Sequence, residues 1–514
     1  MSRAARPLLA LVLAMTAAPA AANWVASGTF RYQDRTWDQN GFTGTIAELP
    51  IRFADIEVRD PNKKGAKGLL AKGKTADDGS FSISVTDSST HTVNVRVLTT
   101  VKNTSDLFVQ VTANNGNPYA VSSANVTNHN PNTNVDFGIL VAAVGSGGEA
   151  FNIFDQLVLG ADWIEFLTGS RPGSNRLVTV RWAINGGNTG AAYTTGNTIY
   201  MRDYAAYDDP VNLHEWAHYA MNNYGSTSNP GGTHFLNDCF QDVRLAYDEG
   251  RASAIGCAVR RHNGLPASNI YLRTAGTPGP GGVQNWFDLE EPQQYSCAGS
   301  SSEVTVSRAL WDISDTAATS DQSPGVDDAP HDVLERPDGE VWEGYSPAVR
   351  TPVTLESFWD RWFGAAANGY LPEMRSAWGH LGIDYVPDAS EPNETPAASP
   401  TVVPNDLPLA LTYFSDPDGN GVGEADTDVF RFEATSGTTY TIQTSGLLSG
   451  CDTRLELIDT NGSTVLTSNN DRATGDKSSL IQWTAPRTDT FYVRSTEMSN
   501  NVLYGSYTLS LTSP

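Results

Sequence analysis

Five residues constrain this chain more than any others: His214-Glu215-Trp216-Ala217-His218. Two imidazoles four positions apart come together only on a helix, where residues i and i+4 share a face. The flanking sequence supplies the punctuation for one. Asp209 and Pro210 read as an N-cap followed by a proline at the first helical position, and Asn223 and Gly225 read as its end. The spacing therefore predicts that His214 and His218 sit side by side in mid-helix and can reach one metal ion, the H-E-x-x-H arrangement of zinc sites. Glu215 is rotated about 100° from His214, close to such an ion but outside its ligands. That is the place for a general base acting on a zinc-bound water. The plainer reading is a surface helix carrying two solvated histidines.

A catalytic zinc takes three protein ligands and keeps one position open, so a further ligand is needed downstream. Asn237 to Gly256 reads as a second helix and contains Ala246-Tyr-Asp-Glu249-Gly250-Arg251-Ala252-Ser253. Here the chain resembles the gluzincin class of metallopeptidases, in which a Glu on a second helix, often followed by Gly-x-Ala, completes the metal shell. The resemblance implies His214, His218 and Glu249 as zinc ligands and Glu215 as the base. Asp248 is the alternative that a different helix rotation would present, and His234, in Pro230-Gly-Gly-Thr-His234, is a further rival. Two departures stand out. Many gluzincins carry an acidic residue four positions after the ligating Glu, where this chain has Ser253, a weaker orienter of a ligand imidazole. Ala217 stands where related secreted enzymes often have Gly. The strand-like Asn197-Thr-Ile-Tyr-Met201 precedes the motif helix, and the resemblance makes it the edge strand of the catalytic sheet, open to pairing with an extended peptide. Zinc peptidases often stabilise the oxyanion with a Tyr or His; the candidates are His331, Tyr345 and His380.

Around this motif the texture is α+β. Ala150 to Leu167 carries apolar residues at helical spacing, Leu177 to Trp182 reads as a strand, and Glu303 to Ile313 and Leu355 to Ala366 read as helices. Residues 141–387 are thus expected to form a central zincin-like catalytic domain. Residues 23–140 are β-like, with runs such as Ser80-Phe-Ser-Ile-Ser-Val85 between turn signals, and predict a β-sandwich. This stretch resembles transthyretin-like or carboxypeptidase-regulatory-like modules, mainly through Lys74-Thr-Ala-Asp-Asp-Gly-Ser-Phe81.

Asp388 to Thr401 has a linker composition, after which alternation returns in Val429-Phe-Arg-Phe432, Thr439 to Gln443, Arg454 to Ile458 and Phe491-Tyr-Val-Arg494. Residues 388–514 predict a C-terminal β-sandwich or jelly-roll domain. Asp388-Ala-Ser-Glu-Pro-Asn393, Asp426-Thr-Asp-Val-Phe-Arg-Phe432, Asp452-Thr-Arg-Leu455 and Asn469-Asn-Asp471 make it resemble the bacterial pre-peptidase C-terminal domain, with a departure at Thr488-Asp489. The resemblance implies an accessory role in secretion, folding or substrate binding rather than catalysis. Asp416-Pro-Asp418-Gly-Asn420-Gly421 matches the first half of an EF-hand loop, but the twelfth position is Thr427 rather than the bidentate Glu that loop requires. Asp416, Asp418, Asn420 and Asp426 remain candidate calcium ligands of a β-domain loop. Asp388, Glu391 and Asn393, and the acidic run Asp321 to Asp332, are further candidates.

Residues 1–22 read as a signal peptide: Arg3 and Arg6, then the apolar run Leu8 to Met15, then the small residues around Ala18-Pro19-Ala20. The run is short of the about 20 apolar residues that span a bilayer, so export without a membrane anchor is expected. The formal charge of −25 opposes binding to nucleic acid or anionic membranes. Export permits disulfides. Cys257 and Cys297 flank loops and form the preferred pair, whereas Cys239 and Cys257 read as opposite ends of one helix, about 27 Å apart. The expectation is a secreted zinc endopeptidase acting on protein or peptide. The alternatives are a non-catalytic secreted binding protein with a structural metal site, and a zinc aminopeptidase, which would need an acidic anchor for the substrate amine.

Overall fold

The computed structural model describes residues 22–38, 40–102, 107–183, 192–273, 284–290, 295, 297–315 and 334–514. The leader, His331 and the acidic run 321–332 lie outside the described residues.

Period-2 alternation builds the β-rich N-terminal region. In Ser80–Asp87 and His91–Leu98 the inward residues Phe81, Ile83 and Val85, and Val93, Val95 and Val97, are buried while their neighbours face out. The long strand Ala22–Asp38 pairs with Gly41–Pro50 and Ser80–Asp87 antiparallel and with Val135–Ala142 parallel. A second sheet forms around His91–Leu98 and Asp55–Arg59. The region does not end cleanly at residue 140, however. Thr100–Lys102 and Phe108–Thr112 leave the sandwich and join Val178–Arg181, Thr198–Tyr200 and Tyr193–Thr195 in a mixed five-stranded sheet. Phe108, Val109 and Val111 are all buried, which suits a strand covered on both faces rather than one with a wet side. One continuous apolar core consequently runs from Trp24 through Tyr385 and takes in Phe414 and Tyr504 of the C-terminal region.

Four helices set the site. They are α1 (Gly148–Thr168), α2 (Asp209–Tyr224), α3 (Val243–His262) and α4 (Glu303–Trp311). Close packing depends on two glycines. A Cβ on Gly160 would lie 2.3 Å from the Trp216 indole, and one on Gly250 would lie 2.5 Å from the Glu303 carbonyl oxygen. Gly160 thus lets α1 rest on α2, and Gly250 lets α4 approach α3 beside Glu249.

The second helix starts later than its sequence suggests. Asp242 caps it by accepting a hydrogen bond from the Arg244 backbone N–H at 2.9 Å. Cys239 therefore lies in the preceding turn, and it is Cys239, not Cys257, that pairs with Cys297, at a Cα–Cα distance of 5.3 Å. Cys257 stays buried and unbridged within α3.

The C-terminal region is a sandwich of two four-stranded antiparallel sheets with its own core, including Phe432, Ile442, Leu455, Leu457 and Phe491. Segment 388–401 is packed rather than free. Asn393 is fully buried, donates to Asp428 at 3.0 Å, and accepts the Val429 N–H on its carbonyl. The sandwich docks on the central region through Trp359 Nε1 to the Gly421 carbonyl (2.7 Å), Tyr504 OH to Asp360 (2.9 Å) and Ser300 N–H to Ser449 Oγ (3.1 Å). The buried Glu356 carboxylate accepts the Leu503 and Tyr504 N–H groups, each at 3.0 Å.

Candidate metal centre

The midpoints of α2 and α3 face one another, and three side chains converge between them. His214 Nε2 and His218 Nε2 are 3.1 Å apart, and Glu249 Oε2 lies 3.0 Å from each. Ligand atoms of a tetrahedral zinc lie ~3.3 Å apart, so the triangle has the size and the N/O donor set of such a shell. The far side of each imidazole is also engaged. His214 Nδ1 is 3.0 Å from Ser253 Oγ, and His218 Nδ1 is 3.2 Å from Asp248 Oδ2. An ionised carboxylate only accepts, so Asp248 places a proton on His218 Nδ1 and turns Nε2 toward the centre. The rotation of α3 explains both roles. Glu249 and Ser253 share a face as i and i+4, while Asp248 stands behind the imidazole. Asp248 is held there by Arg251, by Thr227 Oγ1 at 2.9 Å and by Asn229 Nδ2 at 2.9 Å.

The electrostatics follow from burial and proximity. Burial would raise the Glu249 carboxyl, but His218 and His214 hold it well below the usual range. Burial likewise opposes the charge on Asp248, and Arg251 and His218 outweigh it, keeping the group ionised. His218 is pulled down by burial and pushed further up by Glu249 and Asp248. Arg251 pairs with Asp248, while Glu249 lies against the two imidazoles, where either a proton or a metal cation can balance its charge.

Glu215, 6% exposed, lines the same cleft, whose volume is about 1180 Å³. Its carboxylate accepts the Thr194 hydroxyl at 2.8 Å. Thr194 belongs to Tyr193–Thr195, and this strand, not Asn197–Met201, is the edge of the sheet. Gly196, at φ 56°, turns the chain back so that Thr198–Tyr200 becomes an interior strand. His234 stands on the other flank of Glu249. Its Nδ1 is 2.8 Å from Glu303, its Nε2 is 3.7 Å from Glu249, and the Glu303 hydrogen bond raises its pKa to about 8. Of the oxyanion candidates, Tyr345 is buried against Phe358 and Trp342 and, like His380, does not line the cleft. Thr194, Asn229 and Glu303 had carried no sequence signal.

The calcium candidates divide. Asp416 is bound by Arg375 at 3.0 Å and by the Gly421 N–H, and Asp418 is an exposed partner of Asn420. These three do not converge with Asp426, because the glycines at 419 and 421 curl the loop onto itself. Asp426 instead groups with Glu391 and Glu394, and Asp388, Glu391 and Asp428 form an overlapping group, the oxygens of each lying within 4.8 Å of one another. Burial and then mutual repulsion push Glu391 up to about 9; burial is also the main cause that lifts Asp426 to about 6. Asp426 Oδ2 and Asn393 Oδ1 are buried with no hydrogen-bond donor.

Residues 426–495 match the bacterial pre-peptidase C-terminal domain, and the C-terminal sandwich is a domain of that kind, a type carried by secreted peptidases. Among solved structures, the pre-peptidase C-terminal domain of collagenase from Bacillus anthracis is 15% identical, aligned over 98% of its length and 24% of this chain at a TM-score of 0.18. The precursor of protealysin, a metalloproteinase from Serratia proteamaculans, is 12% identical over 89% of its length and 55% of this chain, at a TM-score of 0.30. No curated protein matches the chain. Among the described residues no helix is long and apolar enough to cross a membrane.

Proposed function

We propose that this chain is an exported zinc endopeptidase, with zinc held by His214, His218 and Glu249. The observation that carries the reading is the convergence of three donor atoms at 3.0–3.1 Å, with both imidazoles oriented from behind. Bound there, zinc would supply Lewis acidity and lower the pKa of a water. The remaining work belongs to the chain. Ser253 and Asp248 orient the imidazoles. Glu215, in the wall of the open cleft, takes a proton from the attacking water and passes it to the leaving amine. Tyr193–Thr195, an edge strand among the described residues, offers backbone groups to an extended protein or peptide substrate. Glu303 lines the cleft, but His234 already engages it at 2.8 Å, which makes it a poor aminopeptidase anchor and favours internal cleavage. A non-catalytic binding protein would have no use for Glu215 in the cleft.

The test is digestion of casein by the purified full chain, with and without chelator, beside Glu215→Gln. Chelator-sensitive cleavage that the variant lacks supports the reading; a zinc-loaded parent that cleaves nothing overturns it.

The calcium reading moves from the Asp416 loop to Asp388, Glu391, Asp426 and Asp428. The reading is supported by Asp426 Oδ2 and Asn393 Oδ1, which are buried there without a hydrogen-bond partner beside the clustered carboxylates. Calcium would tie segment 388–401 to the sandwich.

A further inference from the structure

Tyr193–Thr195 alternates as a strand should: Tyr193 and Thr195 are exposed and Thr194 turns toward α2. There its hydroxyl oxygen lies 2.8 Å from Glu215 Oε2 and 2.9 Å from the Glu215 backbone carbonyl. One hydroxyl, with a single proton to donate, thus stands within reach of two acceptors of one residue, and the carboxylate oxygen is the nearer. Among the described residues Thr194 supplies the one hydrogen bond to that carboxylate. A glutamate has three side-chain torsions, and burial restricts them without selecting one direction for the oxygens. The hydroxyl does select one, because its distance to the rigid helix carbonyl fixes where it stands when it meets Oε2.

We infer that Thr194 is the positioning residue of the general base: it holds the Glu215 carboxylate in the orientation that proton transfer needs. This rests on the reading of Glu215 as the base. The Thr194 side chain acts only through Glu215; the strand's backbone, which neither substitution alters, is what faces the substrate. Among the described residues, the strand that holds the base is also an edge strand of its sheet.

The test compares Thr194→Val, which keeps the β-branched shape and strand preference but removes the hydroxyl, with Thr194→Ser, which keeps the hydroxyl. A hydrogen bond to a charged group corresponds to roughly 10- to 100-fold. With casein-derived peptides, kcat of Thr194→Val should fall by about that factor, with KM changed by less than about threefold and zinc content and thermal midpoint unchanged. Thr194→Ser should recover most of kcat. Full kcat in Thr194→Val overturns the inference, as does a loss that merely tracks lost zinc or stability, or one that serine does not restore. A crystal structure of Thr194→Val reads the same point without turnover. The Glu215 carboxylate should leave its present position or split between rotamers, and an unmoved carboxylate overturns the inference. Absence of turnover in the parent enzyme would fail the peptidase reading and leave this structural readout to decide the placement of Glu215.

Discussion

Two regions of the molecule bury carboxylates to the same depth and treat them in opposite ways. At the floor of the cleft, Asp248 and Glu249 are 6% and 7% exposed; at the root of the C-terminal sandwich, Asp426 and Asp428 are 7% and 0% exposed. The first pair is held below the ordinary carboxylate range and the second above it. The difference lies in their neighbours. Arg251, His214 and His218 stand against the first pair. Asp428 receives hydrogen bonds from Tyr507 and Asn393 but lies near other carboxylates. Burial penalises the charge in both places, and a cation from the chain itself decides whether it survives. A metal entering the cleft competes with protons on imidazoles, whereas one entering the sandwich root competes with protons on carboxylates.

The largest effect that can break this comparison concerns function rather than charge. Glu215→Gln preserves size and removes the proposed base. Turnover should fall by about 10²–10⁴-fold, mainly in kcat, with zinc content and fold retained. Casein assays beside elemental analysis check this, and a zinc-loaded variant with parental turnover would sink the mechanism.

The second effect separates the two carboxylates of the floor. Glu249→Ala should strip zinc from a parent that carries about one ion per chain. Asp248→Asn, behind the imidazole, should weaken retention only about 10- to 100-fold. Zinc content after dialysis against graded chelator reads both. The reverse ranking would mean that Asp248, not Glu249, is the ligand.

The third effect tests the cation-poor region. Calcium should raise the thermal midpoint of the full chain, and Asp426→Asn should abolish the rise. Asp416→Asn should leave it, because Arg375 already neutralises Asp416. A rise that disappears with Asp416 and persists without Asp426 would return the site to the 416–428 loop.

What could be read from the sequence follows the range of the forces involved. His214 and His218 were legible because helical periodicity is local, and their Nε2 atoms do meet. Glu249 came from a resemblance, and Asp248 could be separated from it only once the rotation of α3 was visible. The helix read as Asn237 to Gly256 spans Val243–His262, so Cys239 falls in the turn before it and Cys257 inside it, and the expected disulfide failed because both ends of that helix were misplaced. Thr194 was illegible because its partner, Glu215, lies across a sheet edge created by the turn at Gly196. Phe108–Thr112 lies in the β-like stretch 23–140, and that texture carried no information about which strands it would pair with.

The smallest effect extends the comparison to a carboxylate with neither a cationic partner nor a metal-sized cluster. Burial lifts Glu497 to about 7, although the Ser499 and Asp452 N–H groups, at 2.8 and 3.0 Å, and Cys451 favour its charged form; Glu356 adds to the rise. Unfolded, a Glu titrates near ~4.3. Between these values the folded chain holds a proton that the unfolded chain has released, so stability falls as pH rises. The contribution is fully present below the unfolded value and lost by the time pH has passed the folded one. Calcium-saturated protein should therefore lose a few degrees of thermal midpoint across that window, and Glu497→Gln, which cannot ionise, should lose less. Equal slopes for parent and variant would mean that the backbone N–H donors outweigh burial and keep Glu497 charged. In that case backbone dipoles alone can do for a buried carboxylate what Arg251 does for Asp248.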